Sequence, residues 1–159
     1  MTEIIHKELS YEIVGVLFEV YNDLGYGHKE IYYEKAVAGG FDDRKMAYKR
    51  QVPYILMFKG KEIGRYYLDF LVEGKIVLEI KRGHYFGKKN IEQVFNYLKA
   101  TNLKLAILAN FTPNGVKFIR IVNSDKFMKQ PEEYKLTISK KLLHYVNSYK
   151  IRKLAGHNL

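Results

Sequence analysis

Asp69, Glu79 and Lys81 place charge inside strands that otherwise read as core. In Lys75-Ile76-Val77-Leu78-Glu79-Ile80-Lys81, the two-residue period of a strand puts Ile76, Leu78 and Ile80 on one face and Val77, Glu79 and Lys81 on the other. Asp69 interrupts an equally apolar run, Tyr66 to Val72. Charges in such strands are rarely fully buried unless they are paired or bind a metal. Two arrangements fit these residues. One is an ion pair of Lys81 with Asp69 or Glu79 near the sheet edge. The other is a hard-oxygen site, in which the two carboxylates and the Ile80 carbonyl between Glu79 and Lys81 suit Mg²⁺ or Mn²⁺. Such an ion can polarise a phosphodiester and lower the pKa of a water. Lys81 would then hold or deprotonate the attacking water, or offset charge in the transition state.

The hairpin between the two strands decides whether the carboxylates meet. A two-residue loop at Glu73-Gly74 would set Asp69 opposite Leu78, pointing away from Glu79. An odd loop, Val72-Glu73-Gly74 with Gly74 left-handed in a bulge, would put Asp69 on the face of Glu79 and diagonal to it. Convergence therefore predicts the bulged turn.

The elements around these strands follow from periodicity. Leu9, Ile13, Val16, Leu17, Val20 and Leu24 form one helical stripe, which Gly25 is placed to end. A second helix is expected over about 28–38, stopping at Gly39-Gly40. Residues 46–58, 62–72 and 75–81 read as strands, with a turn at Lys59-Gly60. Pro53 cannot donate to a ladder, so the first strand belongs at an edge or is locally irregular. Asn90 could cap a helix over 91–101 that buries Ile91, Val94, Phe95 and Leu98. Leu103 to Asn110 has the pattern of a strand covered on both faces. Thr112-Pro113-Asn114-Gly115 is a turn before a strand at 116–122, and residues 133–154 read as a basic helix. The order is α-α-β-β-β-α-β-β-α, with a parallel crossover through the 91–101 helix. A mixed sheet with helices on both faces is expected.

The 159 residues suit one domain, since domains commonly run to roughly 100–200 residues. The chain has no cysteine, which removes disulfides, thiolate zinc sites and a cysteine nucleophile, and suggests an intracellular, cytoplasmic protein. The N-terminal residues have acids and no apolar signal core, and no apolar run is long enough for a bilayer, so neither export nor membrane insertion is expected. The five histidines show no metal-ligand spacing.

Net charge is +10, unevenly spread. Residues 1–34 carry seven acids against two bases, whereas the rest is strongly basic, with eight bases against two acids from Lys126 onward. A basic body of this kind attracts polyanions, of which nucleic acid is the commonest inside a cell, although it also serves solubility alone. Between Lys81 and the 91–101 helix, Gly83 and Gly87 stand among Arg82, Lys88 and Lys89, a composition that suits a phosphate without forming a Walker loop.

Asp69, nine intervening residues and then Glu79-Ile80-Lys81 resemble the D…ExK core of the PD-(D/E)XK nuclease superfamily, with Leu68 where the superfamily has its proline. Gly27-His28-Lys29-Glu30-Ile31-Tyr32-Tyr33 is similar to the G-x-x-E-x-x-Y signature of the GxxExxY proteins within it, which also carry a leading helix and a segment like Gln51-Val52-Pro53. The resemblance covers about residues 9–122 and leaves the basic tail, from about 124, outside. It implies an α+β, restriction-endonuclease-like fold: a mixed central sheet flanked by helices, core order α-β-β-β-α-β, with added helices at both ends.

The resemblance also implies a metal-dependent nuclease acting on DNA. Glu30 would join Asp69, Glu79 and the Ile80 carbonyl as a direct or water-mediated ligand of Mg²⁺ or Mn²⁺, although a first-turn acid is also favoured by the helix dipole alone. Glu34 is a secondary candidate, and Tyr33 could bond within the site or simply pack. Gln93 and Tyr97 match the Q-x-x-x-Y helix of the RecB-like branch and share a helical face. There Gln93 would orient a ligand, water or phosphate, and Tyr97 could assist it or pack in the core. Relatives of this size often pair, so a homodimer is a further expectation. The competing reading is a nucleic-acid-binding module of the same fold without useful turnover. A weaker third is a structural protein whose basic tail binds an acidic partner.

Overall fold

The computed structural model describes residues 4–123, so the helix expected at 133–154 lies outside the described residues. Two helices come first, α1 (Lys7–Leu24) and α2 (Glu30–Asp43). Strands β1 (Tyr48–Phe58), β2 (Lys61–Val72) and β3 (Ile76–Arg82) follow, then α3 (Lys88–Thr101), β4 (Leu105–Thr112) and β5 (Gly115–Val122). The sheet runs in chain order from β1 to β5, with β3 and β4 parallel and the other neighbours antiparallel. This is the expected mixed sheet, with β1 at the edge as Pro53 requires.

Each face of the sheet is covered. The α1 stripe (Ile13, Val16, Leu17, Val20) and Val37 and Phe41 of α2 pack on Phe70, Val72, Ile76, Leu78, Ile80 and Ile107. On the other face, Val94, Tyr97 and Leu98 of α3 pack on Leu68, Val77, Ala106 and Leu108. All eight residues of β4 are buried, as its uncharged run demands.

Two helix boundaries differ from expectation. Gly25 ends α1 with φ +66°, its N–H donating to the Tyr21 carbonyl at 2.8 Å, but α2 does not stop at Gly39-Gly40. Its apolar stripe continues to the buried Phe41, and a Cβ on Gly40 would lie 2.5 Å from Val16 Cγ1. That glycine lets α1 and α2 approach closely rather than breaking the helix. Helix α3 begins at Lys88 with Gly87 as its N-cap, which puts Asn90 inside the first turn instead of at the cap.

The β1–β2 hairpin changes face partway along. Period 2 would put residues 48 to 54 of even number on one side, yet Tyr48 packs toward the α1–α2 layer and Val52 and Tyr54 toward α3. Phe70 and Leu68 divide in the same way across the ladder. The switch occurs where Gln51 adopts φ +50°, opposite Asp69, and the regular pairing passes from Arg50↔Phe70 to Val52↔Leu68 without a Gln51–Asp69 pair. A non-glycine residue in this region costs about 1 kcal/mol or more, so the surroundings must hold it there.

Among the described residues, no helix is long and apolar enough to cross a membrane.

Candidate active site

The site forms where β2 and β3 separate. Their ladder has three pairs, Val72↔Ile76, Leu71↔Val77 and Phe70↔Leu78, and then stops. The loop is odd, as convergence of the carboxylates requires, but it is Glu73-Gly74-Lys75. Glu73 and Gly74 both have positive φ, and the Lys75 N–H donates to the Val72 carbonyl at 3.0 Å. Asp69 therefore comes level with Glu79 instead of diagonal to it.

Side chains replace the missing backbone partners. The Asp69 N–H donates to Glu79 Oε2 at 3.2 Å, and the Ile80 N–H donates to Asp69 Oδ2 at 2.7 Å. An N–H and C=O of one strand residue point to the same side, so the Ile80 carbonyl faces this gap as well. Each carboxylate is thus held by the backbone of the strand opposite.

Lys81 closes the group, with Nζ 3.4 Å from Glu79 Oε1 and 3.4 Å from Glu30 Oε1. Glu30 is the first residue of α2 and remains half-exposed, so it reaches the site through Lys81. Glu34, one turn on, is buried below it. Its Oε1 accepts from Arg50 Nε at 3.1 Å, Arg50 Nη2 at 2.7 Å and Gln51 Nε2 at 3.0 Å. These bonds hold the face-switching residue Gln51 against α2, and they identify Arg50 and Gln51 as contributors that charge patterning did not single out. The Gln51-Val52-Pro53 segment was the available signal.

Burial and mutual repulsion set the protonation of the pair. Burial raises the Asp69 pKa to about 6 against the Ile80 hydrogen bond, and the Glu34 charge adds to the rise. Burial and then the Asp69 charge raise Glu79 to about 7, with Lys81 opposing. Burial alone would lower the Lys81 pKa, but Glu79, Glu30 and Asp69 outweigh it, so this ammonium is held charged. When both acids are ionised, half-buried Asp69 and buried Glu79 outnumber the single ammonium beside them. Their oxygens are the hard donors that Mg²⁺ or Mn²⁺ takes, so the residues present fit such an ion. Among the described residues, no three His, Cys, Asp or Glu side chains are already arranged to hold one.

The segment Gly27 to Tyr33 has a local explanation. Gly27 has φ +112° and turns the chain into α2. The Tyr33 hydroxyl donates to the Gly25 carbonyl at 2.6 Å and accepts from the His28 N–H at 3.4 Å, while its ring stacks on Phe111 with centroids 4.2 Å apart. Tyr33 therefore packs and locks the loop that delivers Glu30. On the far side, Asn110 of β4, level with Lys81, donates from Nδ2 to the Gly83 carbonyl at 3.1 Å and fixes the loop after Lys81. An asparagine within a wholly apolar strand was its signal.

Helix α3 is not drawn into the carboxylate group. Gln93 is half-buried and forms no hydrogen bond with those acids. Tyr97 is buried in the α3 layer, edge-on to Tyr54 at 5.4 Å between centroids, and its role there is packing contact.

The PD-(D/E)XK nuclease superfamily matches the chain over residues 7–121. No curated protein matches it. Two crystal structures are similar at low identity. One, of SSO0001, gives a TM-score of 0.38 at 16% identity, covering 73% of this chain and 78% of that one. The other, an alkaline exonuclease (LHK-Exo) from Laribacter hongkongensis, gives 0.44 at 13% identity, covering 98% of this chain and 88% of that one. The family match runs from the first turn of α1 into β5, so it encloses the whole described fold, and the chain belongs to the PD-(D/E)XK nuclease superfamily with its restriction-endonuclease-like architecture.

Proposed function

We propose that the chain is a nuclease that hydrolyses phosphodiester bonds in DNA with the help of a divalent metal. The observation that carries this reading is the pair of carboxylates, half-buried Asp69 and buried Glu79, facing one another across the β2–β3 gap with Lys81 beside them. Asp69, Glu79 and the Ile80 carbonyl, with Glu30 directly or through water, would hold Mg²⁺ or Mn²⁺, which supplies positive charge against the phosphodiester and makes a water more acidic.

The residues of the chain supply the rest. Lys81, held as an ammonium by Glu79 and Glu30, donates hydrogen bonds to orient the attacking water and to offset charge on the non-bridging oxygens. Water oxygen bonds to phosphorus as the ester bond to the leaving sugar oxygen breaks, giving a phosphate end and a hydroxyl end. Glu34, through Arg50 and Gln51, keeps β1 seated under Asp69. Gln93, with its side chain uncommitted to the acids, is assigned to orienting water or phosphate, and Tyr97 to supporting that helix face.

Within the superfamily we place the chain with the GxxExxY proteins, because Gly27, Glu30 and Tyr33 each have a distinct job at the entry to α2. A cytoplasmic setting, supported by the absence of cysteine, and a homodimer that sets two sites on two strands belong to the same reading.

One observation favours a second reading, a nucleic-acid-binding module without turnover: Glu30 leans on Lys81 instead of completing a three-acid group. Cleavage assays separate the two. The nuclease reading predicts DNA cleavage that requires Mg²⁺ or Mn²⁺ and is lost in Lys81→Ala and Asp69→Ala. Cleavage without metal, or unchanged in both variants, would refute it. Salt-sensitive DNA binding without cleavage across metals and substrates would establish the binding module.

A further inference from the structure

From Asp69 back toward Lys61, β2 pairs among the described residues only with β1, so the hairpin continues as a two-stranded arm. One face of the arm is anchored: Tyr54 meets Tyr66 at 5.1 Å between centroids and sits edge-on to Tyr97 of α3. The other face is open. Ile55 pairs with Arg65 and Met57 with Glu62, so Glu62, Arg65 and Tyr67 share this face on the way to Asp69, while the extra residue Ile63 turns Lys61, beside the hairpin turn, to the other; Lys61, Ile63, Arg65 and Tyr67 are all exposed. Ile63 is 60% exposed and Tyr67 50%. Across the site, Tyr85 is 89% exposed on the loop that follows Lys81. That loop is pinned at its base, where the Gly83 N–H donates to the Phe111 carbonyl at 3.1 Å, and Phe86 turns inward to the α3 layer. Aromatic side chains thus stand exposed in chain segments on either side of the carboxylates, each on an anchored element.

An exposed apolar row needs an occupant. Strand addition by a second copy is obstructed, because the outer edge of β1, which pairs with no other strand among the described residues, is interrupted by Pro53 and by the left-handed Gln51. Charge points elsewhere. Residues 48–68 hold five bases and one acid; Arg65 is bonded to that acid, Glu62, and Arg50 to Glu34, so the positive charge left on the hairpin is that of Lys49, Lys59 and Lys61, two of them at its tip. The occupant should therefore be a polyanion that also offers flat apolar faces. A closed duplex shows its phosphates but hides its base faces in the stack, whereas an unpaired strand offers both.

We propose that the nucleic acid taken by this site is unpaired, with its bases stacking on Tyr67 and Tyr85 and its phosphates held at the tip of the arm by Lys59 and Lys61. The inference rests on the nuclease reading for the role of Asp69, but it has its own readout in binding. The full chain is titrated in EDTA against a labelled single strand and against the same strand in duplex, and both are then tested for cleavage with Mn²⁺. The single strand is expected to bind at least about tenfold tighter than duplex, and Tyr67→Ala and Tyr85→Ala each to weaken single-strand binding by about 10- to 100-fold while duplex binding stays within about twofold. Lys61→Ala should weaken both and flatten the salt dependence. Both tyrosines are exposed, and matched melting curves verify folding. Equal affinity for both forms, or unaffected single-strand binding in both tyrosine variants, overturns the inference. So does a Tyr67→Ala variant that converts a dimer to a monomer while leaving strand selectivity intact. Strand-selective binding without cleavage supports this inference and refutes the nuclease reading, whereas duplex cut as fast as single strand refutes this inference alone.

Discussion

Along its β4 side, β3 pairs at seven positions, from Ile76↔Leu105 to Arg82↔Phe111; along its β2 side it pairs at three and then releases. On the closed side the backbone satisfies the backbone, so Ile107 and Leu108 have only packing to do. On the open side, the N–H groups of Asp69 and Ile80 would be orphaned without the carboxylates that accept from them. The contrast shows how a sheet holds like charges in its interior: the gap that removes ladder bonds creates the donors that fix the acids. The burial that results is unfavourable to both acids, and it is this that suits them to a cation.

Substitutions on the two sides should separate activity from stability. Glu79→Gln on the open side is expected to lower cleavage by about 10²- to 10³-fold. Without metal at pH 8 it should leave stability unchanged or higher, since it removes one of two facing charges. Ile107→Ala on the closed side should cost about 2–5 kcal/mol of stability while leaving cleavage per folded molecule intact. Melting curves and labelled-strand cleavage measure both, and a Glu79→Gln protein that falls apart would break the contrast.

A second effect on stability comes from pH. Both folded pKa values, about 6 for Asp69 and about 7 for Glu79, lie above unfolded values near 4. The protonated acids are therefore favoured by folding, and their contribution is full below about pH 4 and lost as pH rises through about 6 and 7. Without divalent ions, wild type should lose several kcal/mol between pH 4 and 8 relative to an Asp69→Asn/Glu79→Gln double variant. Mn²⁺ should restore more stability at pH 8 than at pH 5. A flat difference in denaturant unfolding would show that the pair is not destabilised by burial. Smallest is Tyr33→Phe, which removes the hydroxyl that ties Gly25 and His28 together but keeps the ring on Phe111. It should cost about 1 kcal/mol and loosen Glu30 without disturbing either edge of β3.

The acids of β2 and β3 were legible because a charge in an apolar strand contradicts its neighbours, and a contradiction is readable without coordinates. Loop parity was legible for a related reason, since only an odd loop lets Asp69 and Glu79 share a face. Which odd loop forms was not, because Glu73 accepts a left-handed conformation that residue preference assigns to Gly74 alone. Gly39 and Gly40 read as a stop, yet Gly40 serves the approach of Val16, a partner far away in sequence. The face switch at Gln51 left no periodic trace, because it depends on Glu34 of another element receiving its side chain.

Anomalous diffraction from crystals soaked in Mn²⁺ shows whether the β2–β3 gap is a cation site. The prediction is a manganese peak within bonding distance of Asp69 and Glu79 and of the Ile80 carbonyl, lost in Asp69→Asn. A fully soaked crystal with no peak there, Lys81 still bridging Glu30 and Glu79, would contradict it.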